Sequence, residues 1–321
     1  MIYPFLSLVK QDFKAVDDLI RANLNSEVPM VEEIAAYLID AGGKRLRPLL
    51  VLLCAKACGY QGHHHVKLAA VIEFLHTAML LHDDVVDESD LRRGRETVNA
   101  AWGNAPSVLV GDFLHSRAFE MMVDIGNVRV MQILSRATNV IAEGEVQQLS
   151  FIRNPATTEV EYMEIISRKT AMLFQAAAHA GAVLAGADEK TEHALRDYGL
   201  HLGIAFQMVD DLLDYLGTPE ELGKNIGDDL AEGKVTLPLI IAMRNGKPDQ
   251  KAFVENAIRN GGVENLPDML QLVNATGALK YTSEQANIQR CEAMGCLSTV
   301  ADSEFKNSMS TLVNFVVDRH H

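Results

Sequence analysis

No two of the four cysteines in this chain, Cys54, Cys58, Cys291 and Cys296, stand at Cys-x-x-Cys spacing. That removes the common zinc and dithiol motifs and predicts reduced core thiols in place of a disulfide framework. Proline is scarce, 9 in 321 residues, and no Ser/Gly, Gln/Asn or charge-block tract interrupts the chain, so neither a long linker nor a disordered tail is expected. A basic excess is missing too. Against 43 Asp and Glu stand only 29 Lys and Arg, a formal charge of −14, which argues against broad binding to nucleic acid or to an anionic membrane surface. Any anionic ligand must be held by a local device. The uncharged stretch Met172 to Ala187 is shorter than the ~20 residues of a spanning helix and contains Gln175 and His179. The opening MIYPFLSLVKQDFKAVDDL meets acids and lysines too early for a signal peptide. The expectation is a soluble, cytoplasmic chain with no transmembrane segment, folded as a single domain over residues 1 to 321.

What the chain does have is helical periodicity. Apolar residues recur at three and four throughout, and alternating β-branched runs are nearly absent, which predicts an all-α protein. The pattern places helices at 5 to 24, 30 to 41, 45 to 58, 65 to 88, 106 to 124, 128 to 151, 158 to 185, 189 to 217 and 236 to 244, with several shorter ones after Asp249. Breaks fall at Gly42-Gly43, Gly59, Gly94, Asn104, Gly126, Asn154-Pro155, Gly186, Gly217 and Gly246. Val66 to Val86 and Gly199 to Tyr215 are apolar around most of their circumference and belong inside a bundle. The run His63-His64-His65 follows the breaker GYQG and reads as solvated. Methionines such as Met79, Met121, Met122 and Met172 read as soft core.

The first buried-looking helix ends in HDDVVDESDLRRGR, with Asp83, Asp84 and Asp87 spaced to meet on one side of a helix within about 6 Å. Carboxylates repel at that spacing, and the negative end of a helix dipole makes the position worse. A solvated helix end would explain one such cluster. A second copy changes the balance: FQMVDDLLDYLG puts Asp210, Asp211 and Asp214 at the same spacing after another apolar run. Two facing clusters would surround one cavity with six carboxylates, best held ionised by a hard divalent cation. Oxygen ligands without His or Cys at ligand spacing favour Mg2+, which completes its shell with water and substrate phosphates.

The cations nearby fit a phosphate. Arg92, Arg93 and Arg95 follow the first cluster, and guanidinium forks suit phosphate oxygens. AGGKRLRP presents Lys44 and Arg47 on one helical face, after a glycine pair that lets backbone approach a ligand. His76 lies seven residues before Asp83, on the same face roughly 10 Å up the helix.

With these residues assembled, the chain resembles the trans-type isoprenyl diphosphate synthases, and among them the long-chain, octaprenyl-forming group of quinone biosynthesis. GGKRLRP, EFLHTAMLLHDDVVDESDLRRG, VLVGDFLHSRAF, EGEVQQL, SRKTAMLF, FQMVDDLLDY, LGKNIGDDL and EGKVTLPL occur in the family's order from Gly42 to Leu239. The resemblance implies a bundle of mostly antiparallel helices around a deep central cavity, usually a homodimer. It implies that Asp83, Asp84, Asp87, Asp210, Asp211 and Asp214 hold Mg2+ on an allylic diphosphate primer, with Arg92, Lys169, Lys224 and Lys234 on its other side. It further implies that Lys44, Arg47, His76 and Arg93 form a metal-free pocket for isopentenyl diphosphate, and that Thr170 and Gln207 offer dipoles to the allylic cation. Val235 departs from the proline common among close relatives, and Lys234 is unaffected.

Product length follows from where the tail must run. With diphosphate fixed at Asp83 to Asp87, the tail passes Ala78 and Met79, five and four positions earlier. Short-chain relatives carry a bulky aromatic floor there, so alanine and a flexible methionine predict a long product. Phe74 and Met122 are the expected final stop, and product release is expected to involve peripheral membrane contact. Three other readings stand beside this one. The first is a shorter-chain synthase, forming farnesyl or geranylgeranyl diphosphate. A terpene cyclase would need no second diphosphate pocket, and a noncatalytic subunit would be expected to lose aspartates from one cluster.

Overall fold

The computed structural model describes residues 4–217, 227–262 and 265–318. The architecture is all-α. In chain order the helices are α1 (Lys10–Ala22), α2 (Pro29–Asp40), α3 (Leu46–Ala57), α4 (His64–Val86), α5 (Val98–Trp102), α6 (Asn104–Ile125), α7 (Val128–Leu149), α8 (Glu159–Ile166), α9 (Met172–Leu184) and α10 (Glu189–Leu216). Further on lie Leu237–Asn245, Pro248–Asn260, Leu266–Ala275, Ala278–Cys296 and Glu304–Val317. The expected boundaries hold within a few residues through α10. The later helices are longer than expected, since Ala278–Cys296 has 19 residues.

The chain divides into two compact units. Unit 1 is the chain up to Thr138 with Leu173–Gly199 and Cys296–Leu312; unit 2 is Asn139–Met172, Leu200–Gly295 and the chain from Val313. In unit 1 the apolar circumference of α4 is enclosed by α1, α3 and α6. Leu68, Val71, Ile72, Phe74, Leu75 and Leu81 are fully buried in consequence. The close α4–α6 approach depends on Gly111, where a Cβ would come within 2.4 Å of the His82 ring. In unit 2, the second half of α10 and helix Leu237–Asn245 share one core that includes Met208, Leu212, Leu237 and Ile241.

Four local features depart from the expectations. Two-residue strands, β1 (Leu91–Arg92) and β2 (Arg95–Glu96), pair antiparallel after α4. Their turn, Arg93-Gly94, has both φ values positive, 55° and 73°, the backbone of a tight hairpin. The span read as one helix from 158 to 185 is broken by a π-helical turn at Ser167–Ala171. The histidine run is not uniformly solvated: α4 begins at His64, so His65 turns inward, 2% exposed, with Nε2 3.1 Å from Asp12 Oδ2. The cysteines are free, as expected, but Cys291 is exposed and is not a core thiol. No helix among the described residues is long and apolar enough to cross a membrane.

Candidate active site

In unit 1 the last turn of α4 sorts its three aspartates by environment. Asp83 and Asp87 are partly exposed, whereas Asp84 is fully buried. The hairpin supplies the counter-charge: its two strands fold the chain back so that Arg92 Nε donates to Asp84 Oδ1 at 2.6 Å. Asp84 Oδ2 has no hydrogen-bond partner. Burial pushes the Asp84 carboxyl above its usual range, and Arg92 opposes that shift. Beyond Arg92, the Arg93 guanidinium donates to the Gly42 carbonyl and lies over Gly43. A Cβ at Gly43 would meet it at 2.6 Å; the glycine pair is thus an approach site for arginine.

The first turn of α3 carries Arg47. Its Nη1 is 3.1 Å from His76 Nε2, and its guanidinium carbon sits 4.3 Å from the centre of the Phe174 ring. Burial, reinforced by Arg47, Arg93 and Arg92, holds His76 well below the ordinary imidazole range. The ring is therefore neutral. With Nε2 accepting from Arg47, its proton resides on Nδ1 and can be donated. Lys44 is exposed at the head of the same segment.

Two residues under this group escaped the sequence reading. Arg45, left-handed at φ 48°, pairs with Asp17 at 3.0 Å and with Glu73 at 3.6 Å. Glu73 is 4% exposed; burial raises its carboxyl, and Arg45, Arg93 and Arg47 oppose that. The available signal was Glu73 itself, the single acid between Val66 and Leu81. Of the residues expected to set product length, Phe74, Ala78 and Met122 are buried and Met79 is partly exposed.

In unit 2 the second cluster is held differently. Asp210 is partly exposed, while Asp211 and Asp214 are buried. Asp211 accepts from the Tyr162 hydroxyl at 2.6 Å and from Gln207 Nε2 at 2.8 Å. Gln207 Oε1 in turn accepts from Thr170 Oγ1 at 2.8 Å. Burial and the nearby Asp229 carboxylate push Asp211 up to about 7. The sequence reading named Thr170 and Gln207 but missed Tyr162, whose signal was a tyrosine in an apolar stripe, needing a hydroxyl partner once buried.

The π-helical turn widens the helix where it presents Lys169 and Thr170, a frequent feature of functional sites. It packs against Gly144 of α7, where a Cβ would come within 2.8 Å of Arg168 Cβ. Lys169 pairs with Glu145 at 2.7 Å and Lys234 with Glu232 at 2.6 Å. Lys224 lies outside the described residues.

Among the described residues no three Asp, Glu, His or Cys side chains already converge as a complete metal cage. The donor set nonetheless fits Mg2+. It is oxygen only, it includes an unbonded buried oxygen on Asp84, and this cation takes few protein carboxylates and fills its shell with water and phosphate.

The polyprenyl synthetase family model matches residues 28–275. Octaprenyl diphosphate synthase of Escherichia coli (strain K12) is 48% identical over 313 residues, 97% of each chain. Among solved structures, a decaprenyl diphosphate synthase from Rhodobacter capsulatus is 47% identical, with a TM-score of 0.93 over 99% of this chain and 98% of that one. A polyprenyl synthase from Caulobacter crescentus CB15, complexed with calcium and isoprenyl diphosphate, is 45% identical, with a TM-score of 0.96 over 99% and 97%.

Proposed function

This chain belongs to the polyprenyl synthetase family, and on that premise we propose that it is a trans-prenyltransferase that elongates an allylic diphosphate with isopentenyl diphosphate. The primer is farnesyl diphosphate and the product octaprenyl diphosphate, of the kind used for quinone side chains. Full-length likeness to an octaprenyl-forming relative supports that product class. The observation that carries the reading is that both aspartate clusters are complete and each stands with basic residues in its own unit.

In this reading the two units work as one domain, and the two clusters serve one allylic diphosphate. Mg2+, when bound, would neutralise the diphosphate as it departs and so lower the barrier to ionisation. Arg92, Lys169 and Lys234, with Lys224, hold the diphosphate oxygens; the first three are balanced in the free chain by Asp84, Glu145 and Glu232. The Gln207 amide is fixed with its NH2 on Asp211. Its carbonyl oxygen and the Thr170 hydroxyl are the negative dipole ends offered to the allylic cation. Lys44, Arg47, Arg93 and the neutral His76 bind isopentenyl diphosphate, His76 through Nδ1–H. The double bond attacks the cation, the new carbon–carbon bond forms, and a proton is lost to the released diphosphate, so no side chain need act as base.

Chain growth runs past Ala78 and Met79 toward Phe74 and Met122. The enzyme acts as a cytoplasmic homodimer that delivers its product through peripheral membrane contact. Incubating the purified chain with farnesyl diphosphate, labelled isopentenyl diphosphate and Mg2+ tests the reading. Octaprenyl chains are expected, and none in excess EDTA. A chain that makes no elongated product with Mg2+ would be a noncatalytic subunit.

A further inference from the structure

Away from the aspartates, unit 2 carries a second cleft, of about 650 Å3, between residues 153–157, helix Leu237–Asn245 and helix Pro248–Asn260. Its charge is opposite to that of the chain as a whole. Arg153, Arg244, Lys251 and Arg259 line it with a single carboxylate, Glu255. Glu255 is shared between Lys251 at 3.8 Å and Arg259 at 3.6 Å. Arg244 pairs with Glu159 at 2.9 Å and lies over the Tyr281 ring, and Arg153 makes no ion pair among the described residues. Four cations and two carboxylates leave an excess of two positive charges at one concavity, in a chain of formal charge −14. The inner wall is apolar, formed by Ile240 and Met243, each 8% exposed.

Arg153 is fixed in place. It holds a left-handed backbone, φ 58°, uncommon for a residue with a side chain, and its N–H donates to the Gly233 carbonyl at 2.8 Å. The side chain lies over Gly233, where a Cβ would come within 2.5 Å of Arg153 Cγ. Its stem is thus set by a glycine-dependent contact at Gly233 before any ligand arrives. A preset guanidinium loses less entropy on binding than a free one.

We propose that this cleft is a second anion site, for a ligand bearing a diphosphate group. The guanidinium forks suit phosphate oxygens, and the Ile240–Met243 wall accommodates an apolar chain attached to them. Binding there requires neither divalent metal nor turnover, so it stands apart from the catalytic reading. The ligand is inorganic diphosphate or a prenyl diphosphate.

Calorimetric titration of inorganic diphosphate into the full chain in EDTA should reveal a site that Arg153→Gln/Arg259→Gln weakens by about tenfold or more. Lys44→Ala/Arg47→Ala should leave that site in place. Equal affinity and stoichiometry in the wild type and the Arg153/Arg259 variant would overturn the site, as would a loss confined to the Lys44/Arg47 variant. The unmutated chain gives a reading independent of folding. Diphosphate a few times above its Kd should slow acetylation of Lys251 by about threefold or more, and unchanged acetylation would overturn the proposal. Protection of Lys251 by farnesyl diphosphate, read beside that by inorganic diphosphate, separates the two sources, because Lys251 lines this cleft and not the primer site. Protection at a lower concentration of farnesyl diphosphate means that the wall holds a prenyl chain, and equal protection assigns the site to the inorganic ion.

Discussion

The aspartate cluster that ends α4 and the one that ends α10 share a spacing and differ in company. The first is balanced by charge: a hairpin that begins four residues after Asp87 returns Arg92 to Asp84 at 2.6 Å. The second is balanced by neutral donors, Tyr162 and Gln207, both on Asp211. A carboxylate beside a guanidinium stays ionised more readily than one beside a hydroxyl and an amide. Burial and the Asp229 carboxylate push Asp211 up to about 7, and the two neutral donors oppose that only in part. Equal motifs in the sequence are therefore unequal sites in the free chain.

The largest expected effect ignores that difference. Asp83→Ala and Asp210→Ala should each cut turnover on the order of a thousandfold or more, as loss of several kcal/mol of metal-borne stabilisation requires. Steady-state rates at saturating Mg2+ check this, with melting curves to confirm folding. Near-normal turnover in one variant alone would break the equivalence of the clusters. Next in size, Lys44→Ala and Arg47→Ala should weaken isopentenyl diphosphate by about ten- to a hundredfold and the allylic primer far less. Equal weakening of both substrates would move these residues out of the metal-free pocket.

Tyr162→Phe sharpens the contrast. It leaves a buried Asp211 oxygen without its donor, which should cost about 1 to 3 kcal/mol and lower the melting temperature by a few degrees. An unchanged melting curve would mean that the neutral network does not support the second cluster. The smallest effect on rate belongs to Ala78→Tyr. It should shorten products toward farnesyl and geranylgeranyl length while sparing the first condensation, because the reacting ends are untouched. Wild-type product length would send the tail elsewhere.

Much of the first region was legible because its partners are near in sequence. Asp84 and Arg92 are eight residues apart, and the helix that ends there announces itself by an apolar run. The hairpin was not legible: two-residue strands show no periodicity, and Arg93 adopts a positive φ that composition does not signal. The second region kept more hidden. Tyr162 meets Asp211 across 49 residues and Thr170 meets Gln207 across 37, distances that only tertiary packing closes. Arg45 and Glu73 were hidden for the same reason, since they lie far apart in sequence and come within 3.6 Å only in the fold. The π-helical turn at Ser167–Ala171 keeps the helical pattern of its neighbours, so periodicity passed straight through it.

The claim that both clusters act on one diphosphate is tested most directly by binding. With Mn2+ and a non-ionising allylic thiodiphosphate, bound metal per chain and analogue affinity would be measured for the wild type, Asp83→Asn and Asp210→Asn. A single shared site predicts that either substitution lowers the bound metal and weakens the analogue by about tenfold or more. If one variant kept wild-type metal stoichiometry and wild-type affinity, the two clusters would not share a ligand and the account would be contradicted.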